Sequence, residues 1–105
     1  MKISFGGSSF QKLCESPKKL LTKWGSATQE ELELRLTEFR NAETLAVIDA
    51  LGYPRLHWLK GSRKGQLAVD LDGSKRLILK SADPELTDYK DIKHVVLVEI
   101  VRDYH

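Results

Sequence analysis

The feature that most constrains this chain is a strand–turn–strand signature between Gln66 and Lys80. Within Gln66–Leu71, Leu67, Val69 and Leu71 alternate with Gln66, Ala68 and Asp70, the period-two pattern of a strand with one buried face. Asp72-Gly73 supplies turn chemistry, and Arg76–Lys80 reads as the returning strand. Two registers are compatible with this pattern. A two-residue turn at Asp72-Gly73 places Val69 opposite Arg76, whereas a three-residue turn through Ser74 places Asp70 opposite Arg76. The second gathers Leu67, Val69, Leu71, Leu77 and Leu79 on one face and is the expected register. It makes Asp70 and Arg76 cross-strand neighbours.

A hairpin of this size needs further strands and a covering layer. Val95–Val101 is almost continuously apolar and β-branched, which predicts a central strand covered on both faces over most of its length. Lys2–Phe5, ahead of Gly6-Gly7, predicts a short strand, and Arg55–Leu59 the first strand of the main sheet. Ser81–Lys93, with Pro84 and several acids, reads as a long loop. The first half of the chain is helical. Ser9–Cys14 predicts a helical turn. Ser16-Pro17 starts a helix, with Ser at the cap and Pro in the first position, and Gly25 ends it. Thr28-Gln29-Glu30-Glu31 reads as a capping box, after which Leu32, Leu36 and Phe39 recur at helical spacing with Leu34 off the stripe. Glu31 and Arg35 are spaced for an i,i+4 ion pair. Ala42–Leu51 predicts a further helix burying Leu45, Val47, Ile48 and Leu51, stopped by Gly52 and Pro54. The expected fold class is α+β, with N-terminal helices packed on a twisted, mainly antiparallel sheet in one domain spanning 1–105.

The formal charge of +2 is too small to declare a nucleic-acid binder, but its distribution is uneven. Residues 1–52 carry seven Lys or Arg against seven Asp or Glu, and residues 53–105 carry ten against eight. Arg55, Lys60, Arg63, Lys64, Lys75 and Arg76 cluster against Asp70 and Asp72, with Lys80 just beyond. The densest part is a loop between Gly61 and Gly65 at the mouth of the hairpin, a device suited to a phosphate backbone. Cys14 is alone, so no intrachain disulfide is possible and a reducing, cytoplasmic location is expected. There is no apolar run of about 18 residues, so no membrane association is expected. Histidines at 57, 94 and 105, with one Cys and no H-E-x-x-H, predict neither a metal site nor a cofactor. Signatures of a serine nucleophile elbow and of a P-loop are absent.

The stretch RLHWLKGSRKGQ at 55–66, then Asp72-Gly73, Arg76 and a terminal Asp103-Tyr104-His105, resembles the HigB-type plasmid-maintenance killer proteins, toxins of the RelE/ParE-like superfamily. The likeness covers the last half of the chain well and the first half in outline. It implies a RelE-like fold and the toxin component of a type II toxin–antitoxin system. It further implies a ribosome-associated endoribonuclease acting on mRNA, held inactive by a cognate helix-turn-helix antitoxin that the helices help to dock. The family's functional residues match His57, Lys60, Arg76, Asp103, Tyr104 and His105.

Metal-independent RNA cleavage uses the residue types present. The ribose 2′-OH attacks its own 3′ phosphate, which requires a base, an acid for the leaving 5′ oxygen, and cations around the pentacoordinate phosphorus. His57 is the candidate base and His105 the candidate acid. Lys60 and Arg76 supply fixed positive charge, Asp103 orients or charge-stabilises an imidazole, and Tyr104 offers a hydroxyl, or a ring on which an unstacked base can lie. Arg55, Arg63, Lys64, Lys75 and Lys80 are candidate RNA contacts. Two positions depart from the family pattern. Asp70 stands where relatives usually carry a basic residue, and Lys75 where they usually carry an aromatic one. If Asp70 pairs with Arg76, charge meant for phosphate is neutralised. That keeps open the alternative of a non-catalytic toxin-fold binding protein, either gyrase-poison-like or a regulatory partner of an antitoxin.

Overall fold

The computed structural model describes residues 1–102. Strand β1 (Lys2–Phe5) is followed by four helices, α1 (Ser8–Cys14), α2 (Pro17–Trp24), α3 (Ser26–Asn41) and α4 (Leu45–Ala50). Then come β2 (His57–Trp58), a 3₁₀ turn at Gly61–Arg63, β3 (Leu67–Asp70), β4 (Lys75–Ser81), a second 3₁₀ turn at Tyr89–Asp91, and β5 (His94–Arg102). The five strands form one sheet in the order β1-β5-β4-β3-β2. β1 runs parallel to β5 and every other pair is antiparallel. This is the expected α+β arrangement. Among the described residues no helix is long and apolar enough to cross a membrane.

The hairpin takes the register that collects the leucines. Leu67 pairs with Leu79, Val69 with Leu77, and Asp70 with Arg76. Leu67, Val69, Leu71, Leu77 and Leu79 are all buried, joined from β5 by Val95, Leu97 and Ile100. Leu20, Leu32, Leu36, Phe39, Leu45 and Ile48 of the helices meet them to complete the core. Each such side chain contributes on the order of 1.5–3 kcal/mol from burial. Because alternate residues of a strand point to opposite faces, Ala68, Asp70, Arg76, Ile78 and Lys80 must stand on the face away from the helices.

Four expectations are corrected. The helices cover one face of β5 only: Val96, Val98 and Val101 alternate with the buried set and are partly exposed. A register shift also interrupts β5: Ile78 pairs with Glu99 and Leu79 with Leu97, leaving Val98 as an extra residue. The strand expected over Arg55–Leu59 shrinks to His57–Trp58 at the sheet edge. The capping box at Thr28 does not form. Gly25, at φ 91°, ends α2 and directly precedes α3, so Thr28 lies inside the helix and is buried. Finally, α4 begins at Leu45 behind a Thr44 cap, whose hydroxyl accepts from the Ala46 N–H. Its six residues offer one narrow buried face, Leu45 and Ile48, leaving Val47 and Leu51 exposed.

Elsewhere local chemistry follows the sequence. The Ser16 hydroxyl accepts from the Lys19 N–H at 3.2 Å, with Pro17 leading α2. Arg35 pairs with Glu31 at 3.4 Å, as its spacing implies, but it is buried, with Glu38 at 3.0 Å and the Tyr53 ring 4.9 Å from its guanidinium carbon. The Met1 ammonium donates to the carbonyls of Phe39, Arg40 and Ala42, placing a cation at the C-terminal end of α3.

Candidate active site

The face of the sheet away from the main core holds His57, Arg76 and Lys80, three of the expected site residues. On β2, His57 pairs with Ala68, which pairs with Ile78 on β4, which pairs with Glu99 on β5. One step along lies a second row, Asp70–Arg76–Val101. His57 and Arg76 therefore share a face with β3 between their strands. Lys80, opposite Val96, is exposed on the same face of β4.

His57 Nδ1 lies 2.8 Å from the Arg55 carbonyl oxygen. A carbonyl only accepts, so Nδ1 carries the proton and donates. In a neutral ring with that tautomer the lone pair lies at Nε2. The backbone that supplies this carbonyl is bent by Arg55, whose φ of 59° is in the left-handed region unusual for a non-glycine residue. The Asp70 N–H donates to the Pro54 carbonyl at 2.8 Å and ties this bend to β3.

Asp70 gathers two guanidinium groups. Arg55 donates through Nε to Oδ2 at 3.0 Å and through Nη2 to Oδ1 at 3.2 Å, while Arg76 Nε is 3.3 Å from Oδ1. The pairing of Asp70 with Arg76 follows from the register. The clamp by Arg55 does not, because it depends on the bend at residues 53–55.

Arg63 reads from the sequence as a loop cation, and the structure gives it a second occupation. It donates to Gln66 Oε1 at 2.9 Å and to Glu99 Oε2 at 3.0 Å. Glu99 is on β5 and Gln66 immediately precedes β3, so the guanidinium lies over β4, above the row in which Ala68 and Ile78 are buried. Sequence reasoning passes over Glu99, although it is the one charged residue within Val95–Val101. Lys60 and Lys64 flank the 3₁₀ turn, are exposed, and make no ion pair among the described residues.

Lys75 does not join this set. Its parity places it with Leu77 and Leu79 on the helix side, where Nζ is 2.9 Å from Asp72 Oδ2. The Thr28 hydroxyl donates to the other carboxylate oxygen, Oδ1, at 2.6 Å. Burial works to raise the Asp72 pKa, but the Thr28 hydrogen bond and the Lys75 ammonium outweigh it and hold the pKa below the usual value. Asp103, Tyr104 and His105, expected as site residues from the sequence, lie outside the described residues.

Two other clusters contribute less. Burial, then the charge of Glu15, pushes the Cys14 thiol up to about 12, so it stays protonated near neutral pH. His94 Nε2 is 2.7 Å from the Ser4 hydroxyl across the β1–β5 pair. Among the described residues no group of three His, Cys, Asp or Glu side chains is placed to hold a metal ion. No family model matches the chain, and no curated protein matches it.

Proposed function

We propose that this protein is the toxin component of a type II toxin–antitoxin pair, an endoribonuclease of HigB type that cuts mRNA on the ribosome. The observation that carries this reading is His57. It stands on a helix-free sheet face beside Arg76, with Nδ1 donating to the Arg55 carbonyl, which leaves Nε2 as the basic nitrogen of the neutral ring. In the proposed reaction His57 takes the proton of a ribose 2′-OH as it attacks the adjacent phosphorus. Arg76 and Lys60 stabilise the negative charge that develops there, and the 5′ oxygen leaves with a proton from the acid, His105 by family likeness. Arg55, Lys64 and Lys80 contact the flanking backbone. The cognate helix-turn-helix antitoxin is the inhibitory partner that the likeness implies.

Inducing the wild type and His57→Ala in a bacterial host, with the 5′ ends of transcripts mapped, tests the proposal. The wild type is expected to create recurrent new ends inside reading frames. The variant at equal abundance should reduce them by about 10²-fold or more, the usual effect of losing a general base. Identical end patterns in both cultures would contradict it. One observation favours a second reading. Asp70 already engages Arg76 and Arg55, which suits a toxin-fold protein that binds a partner without cutting RNA.

A further inference from the structure

We propose that the cleft beside Trp58 is a nucleobase subsite, in which an unpaired base of single-stranded RNA stacks on the Trp58 indole while a neighbouring phosphate meets Lys64. The cleft has a volume of about 420 Å³, within the range of clefts that hold small ligands. Trp58, Leu59, Pro84 and Leu86 give it apolar walls, and Lys64 and Ser81 add polar groups. Trp58 follows His57 in the chain but stands on the other side of the sheet, because it pairs with the buried Leu67. β2 is the edge strand, so no further strand separates the two sides there. An RNA strand crossing this edge can therefore leave a base at Trp58 and carry its backbone to His57.

The indole is held ready for this role. It stacks on Tyr89, with ring centroids 5.9 Å apart and planes 16° from parallel, and is still 36 % exposed. A ring already fixed by one neighbour loses little further freedom when a base stacks on it. The polar groups of the cleft suit a nucleotide better than an apolar side chain. Lys64 is exposed and makes no ion pair among the described residues, so its charge is open to a phosphate. The Ser81 hydroxyl accepts from the Asp83 N–H at 3.2 Å, which leaves its own proton to donate to a base edge. An aromatic face with a donor and a cation beside it is the means by which proteins hold splayed RNA bases.

A purely structural stack predicts something different. Trp58 and Tyr89 would then only pin the segment 82–93 to β2, and the bases of an RNA would be irrelevant to binding. Anisotropy titrations with a short 2′-O-methyl RNA oligomer, which has no hydroxyl to attack, and with its abasic counterpart of equal phosphate count separate the two. The wild type is expected to bind the intact oligomer about 5- to 150-fold more tightly than the abasic one, the scale of one base–aromatic stack. Trp58→Ala should abolish that preference, with thermal unfolding confirming that the variant is folded. A second measurement leaves Trp58 in place. In Trp24→Phe it is the one remaining tryptophan, and the intact oligomer should quench its emission while the abasic one leaves it unchanged. Equal wild-type affinity for the two oligomers, a folded Trp58→Ala that keeps the preference, or Trp58 emission that responds alike to both would overturn the proposal and leave the cleft to an apolar side chain of a protein partner.

The choice of RNA as the source of the base rests on the ribonuclease reading, and a parallel cleavage assay keeps the two apart. If Trp58 confers base-dependent binding but the wild type leaves an all-ribose message intact, the base subsite stands and the ribonuclease reading falls. If the wild type cuts RNA and binds intact and abasic oligomers alike, the base subsite falls and the ribonuclease reading stands.

Discussion

At Thr28, Asp72 and Lys75, one carboxylate decides the fate of two residues. The spacing of Thr28 and Glu31 fits a capping box, and Lys75 fits an RNA-facing cation. Both side chains are instead engaged by Asp72, at 2.6 and 2.9 Å, which pins α3 to the hairpin turn. Nothing in local spacing announces this, because Thr28 and Asp72 are 44 residues apart. Thr28→Val preserves shape and removes the hydrogen bond to a charged acceptor. It should cost about 1–2 kcal/mol in denaturant unfolding at pH 7. The effect should depend on pH with a definite sign. The folded pKa of Asp72 lies below its usual value of 3.8, so the stabilisation is full above that value and is lost as pH falls through the folded pKa. The gap between wild type and Thr28→Val should therefore narrow below pH 3.8. A gap that stays constant down to acid unfolding would remove Asp72 from this role.

At the scale of elements, the loop from Lys60 to Gly65 combines two kinds of cation. Arg63 straps the loop to β5 through Glu99, whereas Lys60 and Lys64 flank the turn without an ion pair among the described residues. Under the proposed function they should behave differently. Lys60→Ala with Lys64→Ala should weaken association with single-stranded RNA and reduce the slope of log K against log salt by about 1.4, roughly 0.7 for each phosphate that no longer meets a lysine. Arg63→Ala should change that slope less and instead speed hydrogen exchange across residues 60–66, as should Glu99→Gln. Anisotropy titrations at several salt concentrations check the first, and exchange mass spectrometry the second. Equal salt slopes for the wild type and the double lysine variant would leave the loop with no part in RNA binding.

For the whole molecule, the sheet is more legible in the sequence than its surroundings. The alternation of Leu67, Val69 and Leu71 against Leu77 and Leu79 suffices to choose the register, because a one-residue slip would turn that apolar set to the opposite face. It thereby places Asp70 beside Arg76. The Arg55 clamp is hidden because it depends on a left-handed residue outside any periodic element, and the strap from Arg63 to Glu99 because it spans 36 residues. The β5 run misleads because Val96, Val98 and Val101 are apolar on the face that is only partly buried, and the extra residue Val98 breaks the alternation between Leu97 and Ile100. His57 stands out through its family likeness, and the hydrogen bond that sets its tautomer becomes visible only once the bend at Arg55 is in place.

The ribonuclease reaction proposed for the His57 face proceeds by attack of the ribose 2′-OH on the adjacent phosphorus. Its most direct test uses a translating ribosome programmed with a defined mRNA, prepared once with ribose throughout and once with a single 2′-deoxy nucleotide at the mapped cleavage position. The upstream fragment from the all-ribose message should end in a 2′,3′-cyclic phosphate. The deoxy message should survive at that position, and His57→Ala should leave both messages intact. Cleavage of the deoxy message at the wild-type rate, or an upstream fragment ending in a free 3′-hydroxyl, would rule out 2′-OH attack at the His57 face.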